Sequence, residues 1–503
     1  MTGETPRETV WILGDQLRRD RGALAERSPG ECRVLMVISD HKLASKRWHR
    51  QRLHLVVSAI EHFAAELRDE GFEVDLRHAP SLPAGLRDHC DEFDVDRVIA
   101  MEPMSFDGLA MLQRAGVETI ANDQFLCHYR DFADWAADRA SLKMEDFYRW
   151  QRRRLDIMIE PDGSPVNGQW NFDHDNREPP PKDGRSWPTI STFASDEIDE
   201  SVAARIEELD VWGAPADGRW PVTRTQALQR LDEFIENGLD PFGAHEDAMI
   251  TDEWKLAHSV LASSMNLGLL HPGEIAEAAE VAFDRGDARI NSVEGFIRQV
   301  IGWREYVWGV YWLWMPDYRS QNQLNANRPV PPAFTGAAST HMRCVSTAIS
   351  HVEQHGYAHH IERLMVLGNL ALTAGVDPQA MTEWMWASFV DGAEWVMLPN
   401  VIGMALHADG GQMATKPYAS GGAYINKMSD SCKQCRYNPR HRTGDTACPF
   451  TTLYWDFLAR NEQALTGNHR MARQLAGMRR LSDLEDVRER AVEVLAALDQ
   501  GVL

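Results

Sequence analysis

The segment CKQCRYNPRHRTGDTAC, residues 432–448, places three cysteines in a polar and basic loop. Cys432 and Cys435 form a CxxC pair, and Cys448 follows after twelve intervening residues. Thiolates at such spacing are typical of zinc and of iron–sulfur clusters, because both favour soft sulfur ligands. A closed site needs a fourth ligand. His441 within the loop would complete a zinc site, and Cys344 upstream would complete an all-cysteine site, so the spacing leaves both open.

The cysteine count, the N-terminal sequence and the lack of a long apolar run narrow the class of protein. Seven cysteines in 503 residues do not make a disulfide framework, so we predict that Cys32, Cys90 and Cys127 are small buried residues. The sequence MTGETPRETVWILGDQL lacks the pattern of a signal peptide. No run of eighteen apolar residues could span a membrane. We therefore expect a cytoplasmic protein without a membrane partner.

The net charge of −23 argues against general nucleic-acid binding, because phosphate contacts need Lys and Arg. Two concentrated basic runs are exceptions: Arg149 with Arg152, Arg153 and Arg154, and Lys433 with Arg436, Arg440 and Arg442. Each run is open to two interpretations, a solvated face or a local basic footprint on an acidic protein.

The elements that must position these residues fall into three regions. Residues 1–130 alternate short apolar runs with helical patterns, which predicts a Rossmann-like α/β domain with a parallel sheet. Residues 131–222 contain a long stretch rich in Pro, Gly, Asp and Asn, which indicates an interdomain linker. Residues 223–503 have helical periodicity and predict a large all-α domain.

Polar residues follow the first two apolar runs, where a parallel sheet binds ligands beyond the carboxyl ends of its strands. These candidate binding residues are Gly14, Asp15, Gln16, Ser39 and Asp40. A plain turn at each place is the simpler alternative.

Two groups in the helical region could carry electrons or protons. Core filling explains most of its tryptophans, but we single out Trp303, Trp384 and Trp386, because neighbouring indoles can carry electrons. His359 and His360 are adjacent, so on a helix their side chains would point about 100° apart. One could then face a cofactor while the other faces a substrate.

Several longer motifs resemble one protein family. GFIRQVIGWREYVWGVYW (295–312), GYAHHIERLMVLGN (356–369) and KPYASGGAYINKMSD (416–430), together with the four cysteines, are similar to the bacterial iron–sulfur branch of the photolyase–cryptochrome family. The resemblance runs from WILGDQL almost to the C-terminus, and the three predicted regions agree with it.

The resemblance implies three cofactors and a substrate. The helical domain is expected to bind FAD, the four cysteines a [4Fe-4S] cluster, and the N-terminal domain a 6,7-dimethyl-8-ribityllumazine antenna. The implied reaction is light-driven repair of the (6-4) pyrimidine dimer in UV-damaged DNA by a monomer. Reduced, excited FAD would give an electron to the flipped-out lesion, and a histidine would transfer a proton.

Site residues follow from the motifs that match. His360 is the expected proton donor, and the rest of the implied lesion pocket is Leu364, Met404, Tyr418 and Tyr424. The implied FAD contacts are His258, Ser259, Leu261, Asn266, Gln299, Trp303, Arg304, His359, Arg363, Asp391 and Met397. The implied DNA contacts are Arg177, Lys182 and Arg185, with Asp173 in a contact assisted by Mg²⁺. The electron route would begin at Trp384, with Trp386 as another branch.

The sequence departs from the family pattern at several of these positions. Met397 stands where the family has a polar residue facing flavin N5, and a thioether cannot donate a proton. Met385 and Gly336 replace an expected Tyr and Trp, and Ala262–Ser263 replaces Ser-Pro in the phosphate-binding segment. The strand end VISDH also lacks the Glu expected beside a lumazine.

Two alternatives stand beside the repair enzyme. A cryptochrome-type blue-light receptor with little repair is favoured by Met397 and the altered electron route. A nucleic-acid binder that keeps the cluster only as structure is disfavoured, because His360, Tyr418 and Tyr424 are all retained.

Overall fold

Five short strands near the N-terminus form one parallel sheet in the computed structural model, which describes residues 7–503. Residues 1–6, which begin the predicted first domain, lie outside the described residues. The strands are β1 (Glu8–Ile12), β2 (Arg33–Ser39), β3 (Glu73–Ala79), β4 (Arg97–Met101) and β5 (Glu118–Ile120), in the spatial order β3-β2-β1-β4-β5. The parallel sheet is confirmed. Apolar runs predicted the first four strands, whereas β5 has only three residues and was not predicted.

Serine caps begin the helices that follow three of the strands. The side chains of Ser39, Ser81 and Ser105 accept hydrogen bonds from backbone amides in the first turn, which satisfies donors that a helix start otherwise leaves free. The helices of this region are Asp40–Leu43, Arg50–Asp69, Leu82–Glu92, Phe106–Arg114 and Tyr129–Ala136. Helix Arg50–Asp69 stops before Gly71, whose φ of 96° needs a glycine.

The predicted linker contains two longer helices, Met144–Leu155 and Glu197–Ile206. Between them the chain is irregular apart from the short turns Val166–Gly168 and Asp173–Asn176. Arg152 corrects the interpretation of the first basic run as a surface feature. Its side chain is fully buried and donates hydrogen bonds to the carbonyls of Ile157, Met158 and Trp170.

The rest of the chain is helical. Its α-helices are Arg224–Glu233, Leu239–Phe242, Ala262–Asn266, Pro272–Asp284, Ile290–Ile297, Arg304–Trp314, Arg343–His355, Asn369–Ala374, Pro378–Ser388, Glu394–Leu398, Gly422–Met428, Pro449–Arg460, Glu462–Leu465, Ala472–Met478 and Leu484–Asp499. Four π-helical segments continue neighbouring helices: Phe234–Gly238, Arg298–Trp303, Glu362–Gly368 and Pro399–Ala405. Within residues 7–503 no helix has both the length and the apolar character that crossing a membrane requires.

The apolar core does not stop at the predicted domain boundaries. One buried cluster contains residues of all three regions, among them Val34, Val202 and Phe296. A second cluster fills the helical region around the fully buried Trp308 and Trp395. The regions are therefore held together by apolar burial, whose contribution is about 25 cal/mol per Å².

Gly356, just after helix Arg343–His355, provides a test of this packing. Its φ is 58°, and a Cβ there would lie 2.8 Å from Val390 Cγ1 and 3.1 Å from His49 Nδ1. Gly286 also follows a helix, with φ of 77°, but an added Cβ would meet nothing within 4 Å. We expect Gly286→Ala to cost about 1 kcal/mol for the left-handed backbone. Gly356→Ala should cost about 1–3 kcal/mol more, because the neighbours must shift.

The measurement is the urea midpoint of unfolding of both variants, monitored by tryptophan fluorescence. Equal midpoints would contradict the close packing of helix Arg343–His355 against the segments that carry His49 and Val390.

Candidate functional site

Four cysteines from two remote segments line one small cavity. They are Cys344 at the start of helix Arg343–His355, Cys432 and Cys435 in the loop, and Cys448 at the N-cap of helix Pro449–Arg460. Met342, Ile425, Tyr437 and Phe450 complete the walls. Burial, together with the charges of the other three thiols, raises the pKa of Cys344 well above its ordinary value. Such mutual repulsion is relieved when thiolates ligate a metal.

His441, the alternative fourth ligand, lies outside the lining of this cavity. Its side chain is exposed, with Nε2 3.4 Å from Asn438 Nδ2 and Nδ1 3.4 Å from Thr446 Oγ1. The geometry thus brings Cys344, rather than His441, to the loop cysteines.

Three histidines form a second cluster. The rings of His258 and His359 are stacked with centroids 4.9 Å apart, and the edge of His360 meets His258 at 5.2 Å. His359 precedes the helical segment that His360 begins, so the adjacent pair spans a helix start rather than one regular face. His359 is fully buried, whereas the His360 side chain is 52% exposed. The cluster therefore has an inner and an outer side.

The pKa values of the two adjacent histidines are shifted in opposite directions. Burial lowers the pKa of His359 well below its ordinary value, and neighbouring His258 and His360 lower it further. Partial burial also opposes protonation of His360, but its hydrogen bond to Asp247 and the charges of Asp247 and Glu246 raise its pKa overall. His360 Nε2 lies 3.2 Å from Asp247 Oδ1. A neutral inner imidazole thus adjoins an outer one disposed to hold a proton.

An ion pair lies beside the histidines. Arg363 donates to both carboxylate oxygens of Asp391, at 3.0 and 3.1 Å, and Asn266 Nδ2 donates to the Asp391 carbonyl at 2.8 Å. This forked arrangement fixes the plane of both groups. It joins three residues that the sequence assigned to one binding site, although they are up to 125 positions apart.

Unusual backbone marks the segments that carry the other predicted FAD contacts. Gln299 and Trp303 lie on the π-helical segment Arg298–Trp303, and Arg363 and Leu364 lie on Glu362–Gly368. π-Helical turns are rare and frequent at functional sites. Around His258 and Ser259, the non-glycine residues Leu256 and Val260 have φ of 47° and 53°, a conformation that also concentrates at binding sites.

Other predicted FAD contacts are placed less directly. Leu261 is fully buried in the apolar core. Arg304 donates to Glu305 at 2.8 Å and lies over the rings of Phe125 and Trp395, at 4.0 and 5.4 Å. Met397 is buried on helix Glu394–Leu398.

The predicted lesion pocket includes four further residues. Leu364, Met404, Tyr418 and Tyr424 are all partly buried. Burial raises the pKa of both tyrosines, and the charges of Arg177 and Asp247 act on each of them. Both phenols therefore stay protonated and can donate hydrogen bonds.

The two predicted electron carriers face opposite ways. Trp384 and Trp386 are two positions apart on helix Pro378–Ser388, about 200° around its axis. Trp384 packs against Phe389 with ring centroids 6.0 Å apart. The guanidinium of Arg363 lies over the same Phe389 ring, 4.0 Å from its centroid. Trp386 instead contacts Trp48 at 6.2 Å. Phe389 thus lies between Trp384 and the Arg363–Asp391 pair.

The carboxyl edge of the sheet holds a set of buried acceptors. Gln16 Nε2 donates to the carbonyls of Met101 and Glu102 at 3.1 and 3.2 Å, which ties the end of β1 to β4. The unpaired oxygens at this edge are Asp15 Oδ1, Gln16 Oε1, Asp123 Oδ1 and Gln124 Oε1. Gly14 packs closely against Ile60, Ser39 caps a helix, and Asp40 is exposed.

The predicted DNA contacts lie at the surface. The side chains of Arg177 and Arg185 are 62% and 44% exposed, and Lys182 is exposed as well. Asp173 is paired with Arg177 and lies 3.2 Å from Arg298 Nη1. The loop basic residues Lys433, Arg436 and Arg440 are exposed, whereas Arg442 pairs with Asp483 at 2.7 Å.

Sequence reasoning missed the acids around His360. Asp247 orients His360, and neighbouring Glu246 is buried, which raises the pKa of Glu246 to about 7. The hydroxyls of Ser263 and Ser264 are also buried without a partner. Glu246 and Asp247 are visible in the sequence as adjacent acids in AHEDAM. Nothing in the sequence linked them to His360, which lies 113 positions after Asp247.

Similar proteins bear on this site. A family model described as "Deoxyribodipyrimidine photo-lyase-related protein" matches residues 10–220. A protein of Agrobacterium fabrum named "(6-4) photolyase" is 41% identical over 508 residues, which cover 98% of this chain and 100% of that protein. The crystal structure of a bacterial class III photolyase from Agrobacterium tumefaciens matches with a TM-score of 0.58 at 16% identity and covers 99% of both chains. The structural likeness shows a photolyase-like fold.

Asp247→Asn tests the charge assignment of His360. Removal of the carboxylate should lower the pKa of His360, because the remaining burial disfavours the imidazolium. The measurement is a pH titration of the His360 Cε1–H resonance in ¹³C-histidine-labelled protein, assigned with His360→Gln.

The exposed Asp252 provides the matched control, since Asp252→Asn removes a carboxylate from the same segment without touching His360. An unchanged His360 titration in Asp247→Asn would contradict the assigned pair.

Proposed function

Because the chain belongs to the (6-4) photolyase family, we propose that it is a light-dependent lyase that repairs (6-4) pyrimidine photoproducts in UV-damaged DNA. The observation that supports this most is the arrangement of His360. It is exposed and paired with Asp247, as a proton donor to a bound lesion would need to be, and the charge of Asp247 also acts on Tyr418 and Tyr424.

The residues around the inner histidine fit a bound FAD. Buried polar atoms without a hydrogen-bond partner are His258 Nε2, both ring nitrogens of His359, and the hydroxyls of Ser263 and Ser264. Buried polar groups are rarely left unpaired, so a polar ligand accounts for them. Bound, reduced FAD would supply an electron on illumination. His258, Ser259, Asn266, Gln299 and the Arg363–Asp391 pair are the residues that would hold it.

The protein's own contribution is proton control and positioning. His360, held by Asp247, would give a proton to the lesion and take it back, because an imidazole exchanges protons near neutral pH. Tyr418 and Tyr424 would orient the lesion through their phenol groups. The cation of Arg363 would favour negative charge on a flavin held beside it.

A [4Fe-4S] cluster fits the four-cysteine cavity better than one zinc ion. A tetrahedral zinc site with Zn–S of about 2.3 Å holds its sulfurs about 3.8 Å apart. Among residues 7–503, no cysteine belongs to a group of three candidate ligand atoms within 4.8 Å of one another. No three of these sulfurs are therefore as close together as a single zinc ion would hold them. We assign Cys344, Cys432, Cys435 and Cys448 as its ligands.

The sheet edge fits an antenna with several hydrogen-bond donors. The unpaired oxygens of Asp15, Gln16, Asp123 and Gln124 match a ribityl lumazine, whose hydroxyl groups donate. We propose this edge, including Gly14, Ser39 and Asp40, as the antenna site.

DNA would approach the exposed linker arginines. Arg177 acts electrostatically on both tyrosines, so a phosphate there would lie near the lesion pocket. Lys182 and Arg185 extend the same surface. A Mg²⁺ ion at Asp173 would replace the cations that now pair with it, Arg177 and Arg298.

A blue-light receptor with little repair is the second candidate. The buried Met397 favours it, because a thioether at this position supplies neither a proton nor a hydrogen bond to a flavin. The two candidates share the FAD site and differ in whether His360 acts on a lesion.

The repair assay separates them. Reduced protein under blue light should restore an oligonucleotide that carries a (6-4) photoproduct. His360→Ala should still bind the lesion but repair it about 100- to 10,000-fold more slowly, the range for loss of a general acid. His78→Ala, an exposed histidine of the sheet region, is the control and should retain full activity. Full repair by His360→Ala would remove the proton-donor role, and no repair by the unmodified protein would favour the receptor.

Iron analysis tests the cluster assignment. Cys435→Ala should lose iron and acid-labile sulfide, because it removes one of four ligands. His441→Ala and Cys90→Ala, which remove groups outside the cavity lining, should keep about four irons per chain. Cys90 is exposed, so its predicted burial was wrong, whereas the burial of Cys32 and Cys127 is confirmed. Zinc without iron in the unmodified protein, lost in His441→Ala, would reverse the assignment.

A further inference from the structure

A group of metal-ligating side chains lies far from the histidine and cysteine sites, between the sheet region and the linker. His54, Ser58 and His62 recur every fourth residue on helix Arg50–Asp69, so they share one face. That face meets the start of helix Glu197–Ile206, where Asp196 is the N-cap and Asp199 the third helical residue.

The distances within this group are those of a coordination shell. His62 Nε2 lies 3.4 Å from Asp199 Oδ1 and 3.6 Å from Asp196 Oδ1. Both are longer than an ordinary N–H···O hydrogen bond of about 2.7–3.2 Å. Ligand atoms about 2.0–2.1 Å from a tetrahedral zinc ion stand about 3.3 Å apart. The three atoms all fall within 4.8 Å of one another, so that one ion can contact all three.

Surrounding contacts hold the two carboxylates in place. Asp196 Oδ1 accepts the backbone amides of Ile198 and Asp199 at 2.9 and 3.1 Å, and Asp199 Oδ2 accepts the amide of Asp196 at 3.3 Å. Ser58 donates to Asp199 Oδ1. The capping box at this helix start thereby fixes the acids before any ion arrives, which is how outer contacts support metal ligands.

The group is reachable by solvent while most of it is buried. The side chains of His62 and Asp199 are 13% and 8% exposed, and that of Asp196 is 55% exposed. A small cavity lined by His54, Asp199, Gln51 and Trp220 opens beside them. Water could therefore occupy a remaining coordination position.

We propose that His62, Asp196 and Asp199 bind a Zn²⁺ ion, with a water as fourth ligand. One imidazole and two carboxylates suit zinc among the divalent ions that favour nitrogen ligands. His54 Nε2, 4.0 Å from Asp199 Oδ1 and 3.2 Å from the Asp199 carbonyl, stands behind the ligands and supports Asp199. The ion ties helix Arg50–Asp69 of the sheet region to helix Glu197–Ile206 of the linker.

Zinc binding is measured by calorimetry, with ZnCl₂ titrated into protein that keeps its proposed cluster but has no other bound metal. Elemental analysis after dialysis gives the zinc content per chain. His62→Asn should lose one zinc per chain, with affinity reduced by more than about 100-fold, the upper end for loss of an outer contact. Asp196→Asn should lose the same zinc yet keep its helix cap, since Asn caps as well as Asp. Because each comparison is a difference from the unmodified protein, zinc held elsewhere cancels.

His174→Asn is the matched control, since that histidine is fully exposed on the linker and lies outside the group. It should bind zinc like the unmodified protein. Zinc should also raise the unfolding temperature of the unmodified protein but not of Asp196→Asn. If Asp196→Asn and His62→Asn bind zinc with unchanged stoichiometry and affinity, or if His174→Asn loses the same zinc, the proposal is wrong.

Discussion

The buried pair of His351 and Glu362 connects the helix that carries Cys344 with the segment that carries His360. His351 Nδ1 lies 3.1 Å from both carboxylate oxygens of Glu362, and its Nε2 lies 3.3 Å from the Thr251 carbonyl. Burial disfavours the imidazolium, but these acceptors outweigh it and raise the pKa of His351. Breaking such a pair from one side costs about 3–5 kcal/mol, because a charge is left buried. The helix of Cys344 is thereby fixed to the segment of His360.

Thr251 extends this connection to the cysteine loop. Its backbone amide and hydroxyl both reach Asp430 Oδ1, at 3.0 and 2.8 Å, two positions before Cys432. One residue therefore contacts the cysteine helix through its carbonyl and the cysteine loop through its amide. The two segments that line the cavity are aligned by protein contacts, so the cavity does not depend on a metal alone for its shape.

The sequence was informative where the signal is local. Apolar runs located four strands, and the CxxC spacing singled out the loop whose cysteines line one cavity with Cys344. The choice between His441 and Cys344 was not local, because it depends on how helix Arg343–His355 packs against the loop. The surface position predicted for Arg152 was wrong for a related reason. A charged side chain is normally exposed, and only the folded linker supplies the three carbonyls that satisfy it.

The resemblance to a family added residues that no pattern in one sequence could join, such as Asn266 with Asp391. It did not supply Asp247 or Glu246, because a carboxylate beside a histidine is recognised by position in space rather than by motif. Their loop lies before the His258 segment, and their contact with His360 closes across 113 positions.

The contrast between His359 and His360 bears on the choice between repair and light sensing. A flavin needs a neutral, dry neighbour, and burial gives His359 that character. Asp247 raises the pKa of His360 at the exposed side of the cluster, and burial keeps the phenols of Tyr418 and Tyr424 protonated. An exposed imidazole paired with an acid is placed to meet a molecule that comes from outside, which supports the proposed repair, whereas Met397 supports the receptor.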